Sequence, residues 1–182
     1  NVNNGYKKWA FATTSENRAF VRFDTAKVIP AGSRVTAARL NVYVLKISKP
    51  GAAGFTAHPL PGSWSETGTT AKNRPAFVAS PVSARAAVPA ARQWVTLTIA
   101  PSAVSTTGTT SLELLHSVGY SEFQFATRES ATPPALELEL ARRYGDTVEQ
   151  HRRLGRGHDG ELNGRDPIGQ RRRWRLGGGR IG

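Results

Sequence analysis

Trp94, Tyr43 and Trp64 are the side chains of this sequence whose type and setting suggest work at a surface. Trp94 is in phase with Thr96 and Thr98, on the polar side of a segment whose other side is Val95, Leu97 and Ile99. Tyr43 shares a phase with Arg39 and Asn41, and Trp64 sits in a Pro-Gly-Ser-Trp loop. Flat rings flanked by polar groups suit the apolar C–H faces of pyranose sugars, while the polar neighbours fix orientation. Arg39, Lys72 and Arg74 add cations able to pair with uronic carboxylates, by a planar fork or a point charge. Each residue also has a structural reading. Trp94 could cap the end of a core, a loop tryptophan such as Trp64 more often folds back over a core edge, and Trp9, alternating with Lys7 and Phe11, favours the interior.

Catalysis finds little material. There is no cysteine, which removes disulfide, thiolate-metal and cysteine-nucleophile chemistry together. Asp24 is the sole aspartate before residue 141, so a carboxylate-rich metal site or an Asp-dependent triad is not expected. His58 and His116 are isolated in sequence. Glu66 and Glu129 could form a glycosidase pair, or Tyr120 or His116 a lyase base with Arg128 neutralising a carboxylate, yet nothing in the spacing links them. Arg128-Glu129 reads as a structural ion pair. The expectation is a protein without enzymatic activity and without a cofactor, a structural Ca²⁺ held by backbone carbonyls being the one left open.

These side chains need elements to position them, and the chain alternates as half-buried strands do. Leu40, Val42 and Val44 interleave with Arg39, Asn41 and Tyr43; Val95, Leu97 and Ile99 with Trp94, Thr96 and Thr98; Leu136, Leu138 and Leu140 with Glu137 and Glu139. Segments 20–24 and 122–128 repeat the pattern with aromatics, and 54–60 and 111–116 do so more weakly. Prolines at 30, 50, 59, 61, 75, 81, 89, 101, 133 and 134 interrupt any long helix. Short strands between turn signals predict an all-β sandwich of about seven to nine strands over residues 1–142. Its inner faces should hold Phe23, Leu40, Val42, Val95, Leu97, Phe123, Phe125, Leu136 and Leu138.

The order of these blocks resembles a known family. FVRFD (20–24), IPAGSRVTAARLNVYV (29–44), WSETGTTAKNRPA (64–76), WVTLTIAPSAV (94–104) and EFQFATRESATPPALELEL (122–140) are similar, in that order, to the DNRLRE domain. That family is grouped with the family 96 carbohydrate-binding modules and related to disaggregatase-type repeats. Three positions depart from its pattern. Ala71 stands where a second Trp is usual, Ile99 and Ala100 stand near the usual Asp-Val pair, and the strand ahead of the Asn4-Gly5-Tyr6 turn is missing, which reads as truncation. The resemblance implies a jelly-roll-like sandwich from a secreted or cell-surface, multidomain, polysaccharide-processing protein. It also implies a polysaccharide partner, and an acidic one, since the family is reported to include alginate binders.

Composition breaks at residue 143. Residues 1–140 carry 14 Lys/Arg and 8 Asp/Glu, whereas 141–182 carry 11 and 5, so less than a quarter of the chain holds half of the net charge of +12. Ten of the 18 glycines also lie there. Apolar residues in 143–182 follow no period, and the segment reads as a disordered basic tail that does not pack on the sandwich. Gly155, Gly157 and Gly160 spell a dinucleotide fingerprint without the strand and helix it requires. Arg171-Arg172-Arg173-Trp174-Arg175 could contact phosphates and stack a base, which makes a nucleic-acid binder a third alternative beside a sugar-free spacer or adhesion module. Out-of-frame reading of GC-rich Ala, Pro and Thr codons yields mainly Arg and Gly, so a frameshift accounts for the tail without function. The lack of Met reads as a processed product or fragment, and no run reaches the roughly 20 apolar residues of a membrane span.

Overall fold

The computed structural model describes residues 9–12, 18–48, 54–70, 72–116, 123–142, 172–177 and 180–181, with backbone alone at 9–12, 142, 172–177 and 180–181. Among the described residues nine strands precede residue 143: β1 (Trp9–Ala12), β2 (Ala19–Asp24), β3 (Ser33–Ile47), β4 (Gly54–Pro59), β5 (Ala86–Ala87), β6 (Gln93–Ile99), β7 (Thr109–His116), β8 (Phe123–Ala126) and β9 (Ala135–Arg142). The alternating runs are strands, as expected, and the described helical residues are confined to the short 3-10 turns Thr25–Lys27 and Pro101–Ala103.

All pairings within the two sheets are antiparallel. One sheet is organised around β3, which takes β6 along one edge and β9 then β8 along the other, with β1 beyond β8. A 15-residue strand is long, and register shifts at Val35/Ala37 and Val44/Lys46 let it serve two partners in succession on one side. The second sheet runs β2-β7-β4-β5. Period-2 alternation then places Leu40, Val42, Val95, Leu97, Phe125, Leu136 and Leu138 of the first sheet against Val21, Phe23, Phe55, Leu112 and Leu114 of the second in one buried core. Phe55 meets Phe123 and Phe125 edge-on, with centroids 5.8 and 4.9 Å apart. All nine residues expected inside are buried.

The second sheet is covered on its outer side too, by the connection 60–85. Trp64 packs on Phe20 and, with Leu60, forms a small cluster separate from the main core. Its indole N–H donates to Ser111 Oγ at 3.3 Å, and Arg22 lies over its ring at 4.8 Å. Further along, Arg18 grips the fully buried Glu113 with both forks and donates to the Pro75 carbonyl at 3.2 Å. His58 Nδ1 meets the Val78 carbonyl at 2.9 Å. A carbonyl only accepts, so Nδ1 carries the proton and Nε2 accepts from Thr56 Oγ1. The connection ends at Val82 and Ser83, which bond β4 at Ala57 and reach β6 at Ile99, bridging the sheets along one side.

Two backbone segments of the basic tail differ from the expectation that it stays clear of the sandwich. Arg172–Gly177 (β10) pairs with β9, and Arg180–Ile181 (β11) pairs with β2. Both add to strands with an open edge, whose unpaired backbone groups accept any extended segment within reach. Residues 143–171 lie outside the described residues.

His116, on β7, packs at a tilt against Phe123 with centroids 4.6 Å apart. Desolvation, then the charge of Arg85, lowers its pKa below the usual 6.5. A base with a depressed folded pKa contributes stability that is full above 6.5 and is lost as pH falls from there through the folded value. The melting temperature should therefore drop more steeply from pH 7 to pH 5 in the wild type than in His116→Phe. Parallel pH profiles for the two would contradict this.

Candidate functional site

The β3–β6 ladder builds the outer face of the first sheet. Inner rungs Leu40↔Leu97 and Val42↔Val95 are buried, so the rungs between them point outward: Tyr43↔Trp94, Asn41↔Thr96 and Arg39↔Thr98. Trp94 keeps 44% of its surface exposed and meets Tyr43 edge-to-face, 5.4 Å between centroids at 71°. In the next rung Thr96 Oγ1 donates to Asn41 Oδ1 at 2.6 Å. In the third, Arg39 Nη1 lies 2.9 Å from Glu139 Oε1 on β9. The face thus runs from an aromatic floor through a neutral polar pair to an ion pair. Beyond Trp94 two exposed cations, Lys46 and Arg92, take part in none of the ion pairs among the described residues. Arg92 is held at φ 58°, a left-handed conformation, with its N–H bonded to the Val44 carbonyl at 2.7 Å.

The six residues singled out from sequence divide between two faces. Trp94, Tyr43 and Arg39 stand together, whereas Trp64, Lys72 and Arg74 belong to the connection over the outer side of the second sheet. Trp64 is 6% exposed and offers no free ring face. Lys72 is exposed on a turn tied by Thr70 and Asn73, with Thr70 N–H donating to Asn73 Oδ1 at 2.6 Å. Arg74 follows on the same loop. No single site therefore includes all three aromatics.

A third grouping joins distant parts of the sequence. Arg128 Nε reaches Glu129 Oε1 at 2.5 Å and Glu66 Oε1 at 3.3 Å. Burial alone would raise the Glu129 carboxyl, but hydrogen bonds from Arg128 and Thr127 and the Arg128 charge outweigh it and hold the pKa below the usual carboxylate value. The hydrogen bond to Glu129, opposed by some desolvation, correspondingly raises Arg128. With its carboxyl held below the usual range, Glu129 is a poor proton donor, and its contact with Arg128 and Glu66 is that of a clasp between loops. At the far end of β3 an open cleft of about 430 Å³ lies between Ser33, Arg34 and Val35 and the Pro101 turn, with no aromatic lining. Among the described residues no three His, Asp or Glu side chains are grouped to hold a metal ion, and no helix is long and apolar enough to cross a membrane.

The family model for carbohydrate-binding module family 96 matches residues 5–140. The chain belongs to that family. Among curated proteins none matches the chain. Membership in family 96 makes this a carbohydrate-binding module whose partner is a glycan, and the family is a noncatalytic one. The match ends one residue short of Ala141, so the basic segment lies outside the family 96 module. The matched span contains the outward face of β3 and β6 as well as the Glu66–Arg128–Glu129 clasp. Sequence reasoning passed over Arg92, Lys46 and the bond between Asn41 and Thr96. Position in phase with Tyr43 and Trp94 was the available signal for the last pair, whereas nothing local marks Arg92 as left-handed.

Proposed function

We propose that this module binds an extracellular polysaccharide on the outward face of β3 and β6, holding a secreted or cell-surface protein to its substrate. The observation that carries this reading is the exposed Trp94, in an edge-to-face pair with Tyr43 and with hydrogen-bonding side chains in the next rung. A pyranose covers the indole with its C–H face and meets Asn41, Thr96 and Thr98 with its hydroxyls. Affinity arises from apolar contact and a few oriented hydrogen bonds, without any bond being broken.

An acidic glycan is the preferred partner. Support for this comes from Lys46 and Arg92 at the end of the face beyond Trp94, two exposed cations that share no ion pair among the described residues. Arg39 is less suited to that task, because Glu139 already occupies its guanidinium and Glu137 lies across from it on β9. Affinity electrophoresis in polygalacturonate and in neutral glucomannan gels tests the preference. Retardation by polygalacturonate should exceed that by glucomannan and weaken as salt rises from 20 to 200 mM, on the order of the change in screening length. In Lys46→Gln/Arg92→Asn the salt dependence should vanish. Equal retardation in both gels at every salt concentration would leave the face as a neutral-sugar binder.

A further inference from the structure

We infer that the Asn41–Thr96 rung is the specificity reader of this face, a second subsite that recognises one hydroxyl-bearing carbon of the sugar next to the one stacked on Trp94. The inference rests on the binding face proposed above and names how the glycan lies on it. Rungs that point to the same side are two residues apart along a strand, about 7 Å, a spacing of the order of one sugar ring. A polysaccharide lying along β6 therefore passes from the aromatic rung Tyr43↔Trp94 onto Asn41↔Thr96 and then toward Arg39↔Thr98. A chain crossing the strands at the Arg39↔Thr98 rung would instead run from β6 over β3 onto Glu137 of β9, where carboxylate rather than ring surface meets it.

The rung has a fixed polarity. Thr96 Oγ1 gives its only proton to Asn41 Oδ1, which sets the amide so that its NH₂ group, a pure donor, is left for a ligand. The same bond leaves the Thr96 hydroxyl oxygen with lone pairs and no proton to offer, a pure acceptor. Donor and acceptor thus stand side by side, on an exposed threonine and a half-buried asparagine. One hydroxyl, donating to Thr96 and accepting from Asn41, satisfies both, and so do two neighbouring hydroxyls. A sugar bearing hydrogen or an ester at that carbon leaves at least one of the two protein groups unpaired once water is excluded, which is the strongest means by which polar sites discriminate.

Affinity electrophoresis in polygalacturonate, xylan and glucomannan gels, with Trp94→Ala, Thr96→Val, Thr96→Ser, Asn41→Asp and the wild type, tests this. Thr96→Val keeps the shape and removes the hydroxyl, while Thr96→Ser keeps the hydroxyl. On the gel that retards the wild type most, Thr96→Val and Asn41→Asp should each lose about five- to tenfold in affinity, and Thr96→Ser should stay within twofold. Melting temperatures of the Thr96 and Asn41 variants should stay close to the wild type, because their rung is on the outer face. Thr96→Val binding as the wild type does, or Thr96→Ser losing as much as Thr96→Val, overturns the inference while a weakened Trp94→Ala leaves the binding face standing. If Trp94→Ala binds like the wild type, or the wild type is retarded by none of the three gels, the binding face itself fails and this reading with it.

Discussion

Trp94→Ala is expected to lower the affinity for polysaccharide by about 30-fold or more, the effect of removing a central anchor worth about 2 kcal/mol. The indole is the largest exposed ring on the outward face, 44% exposed while paired edge-to-face with Tyr43. Truncation removes both the stacking surface and the exclusion of water from the neighbouring Thr96. Tyr43→Ala should cost less, about three- to tenfold, since its ring mainly fixes the indole in place; aromatic pairs contribute about 0.5–1.5 kcal/mol. Trp64→Ala is the informative contrast. That residue is buried between Phe20, Arg22 and Leu60, so its loss should lower stability and leave affinity at temperatures well below melting unchanged. Isothermal titration of the three variants at one temperature separates these outcomes, and a Trp64→Ala that stays folded yet no longer binds would move the site to the other face.

Glu113→Leu is expected to destabilise the fold by about 3–5 kcal/mol, the usual result of stranding one member of a buried ion pair. Glu113 is completely buried and the Arg18 side chain nearly so. Without the carboxylate, Arg18 retains, among the described residues, the Pro75 carbonyl and the faces of Phe20 and Phe77, 5.5 and 5.6 Å from its guanidinium carbon. Arg18→Met/Glu113→Leu should recover most of the loss, because two apolar groups remove the desolvated charge together. The connection 60–85 should also become cleavable by protease in the single variant, since Arg18 is one of its anchors. Urea unfolding gives the stabilities. A cost below about 1 kcal/mol, the range of surface pairs, would mean that the connection does not seal this side of the sheet.

The strands legible in sequence are those with one wet face. Leu40–Val44, Val95–Ile99 and Leu136–Leu140 alternate cleanly because their outer sides carry Tyr43, Asn41, Thr96, Thr98, Glu137 and Glu139. The same phase that revealed those strands placed Trp94, Tyr43 and Arg39 on a common side. Trp64 was harder to place, because a loop residue has no phase. The clue lay elsewhere, in β2 and β7: Ala19-Phe20-Val21 and Leu112-Glu113-Leu114-Leu115 are apolar or buried on both sides, which requires a cover over the outer face. Two-residue β5 is too short to show any alternation. The pairing of β10 with β9 depends on an open edge that composition does not record, even though Arg173 and Arg175 fall opposite Glu139 and Glu137 in register.

The meeting of Glu66 with Arg128 and Glu129 illustrates what motif order carries and what it omits. Both fragments belong to the blocks that resemble the family, 62 positions apart from Glu66 to Arg128. Their sequence order says nothing of contact. Only the fold, which brings the loop after β4 beside the turn after β8, turns two short motifs into one clasp.

The central claim, that the glycan lies on β3 and β6, is tested most directly by a two-dimensional ¹H–¹⁵N NMR titration with polygalacturonate oligosaccharides, read at the tryptophan indoles. Progressive shifts of the Trp94 indole and of the Asn41 and Tyr43 amides are expected, with the buried Trp64 indole and the Lys72 amide unmoved. Shifts at Trp64 and Lys72 with Trp94 stationary would contradict it.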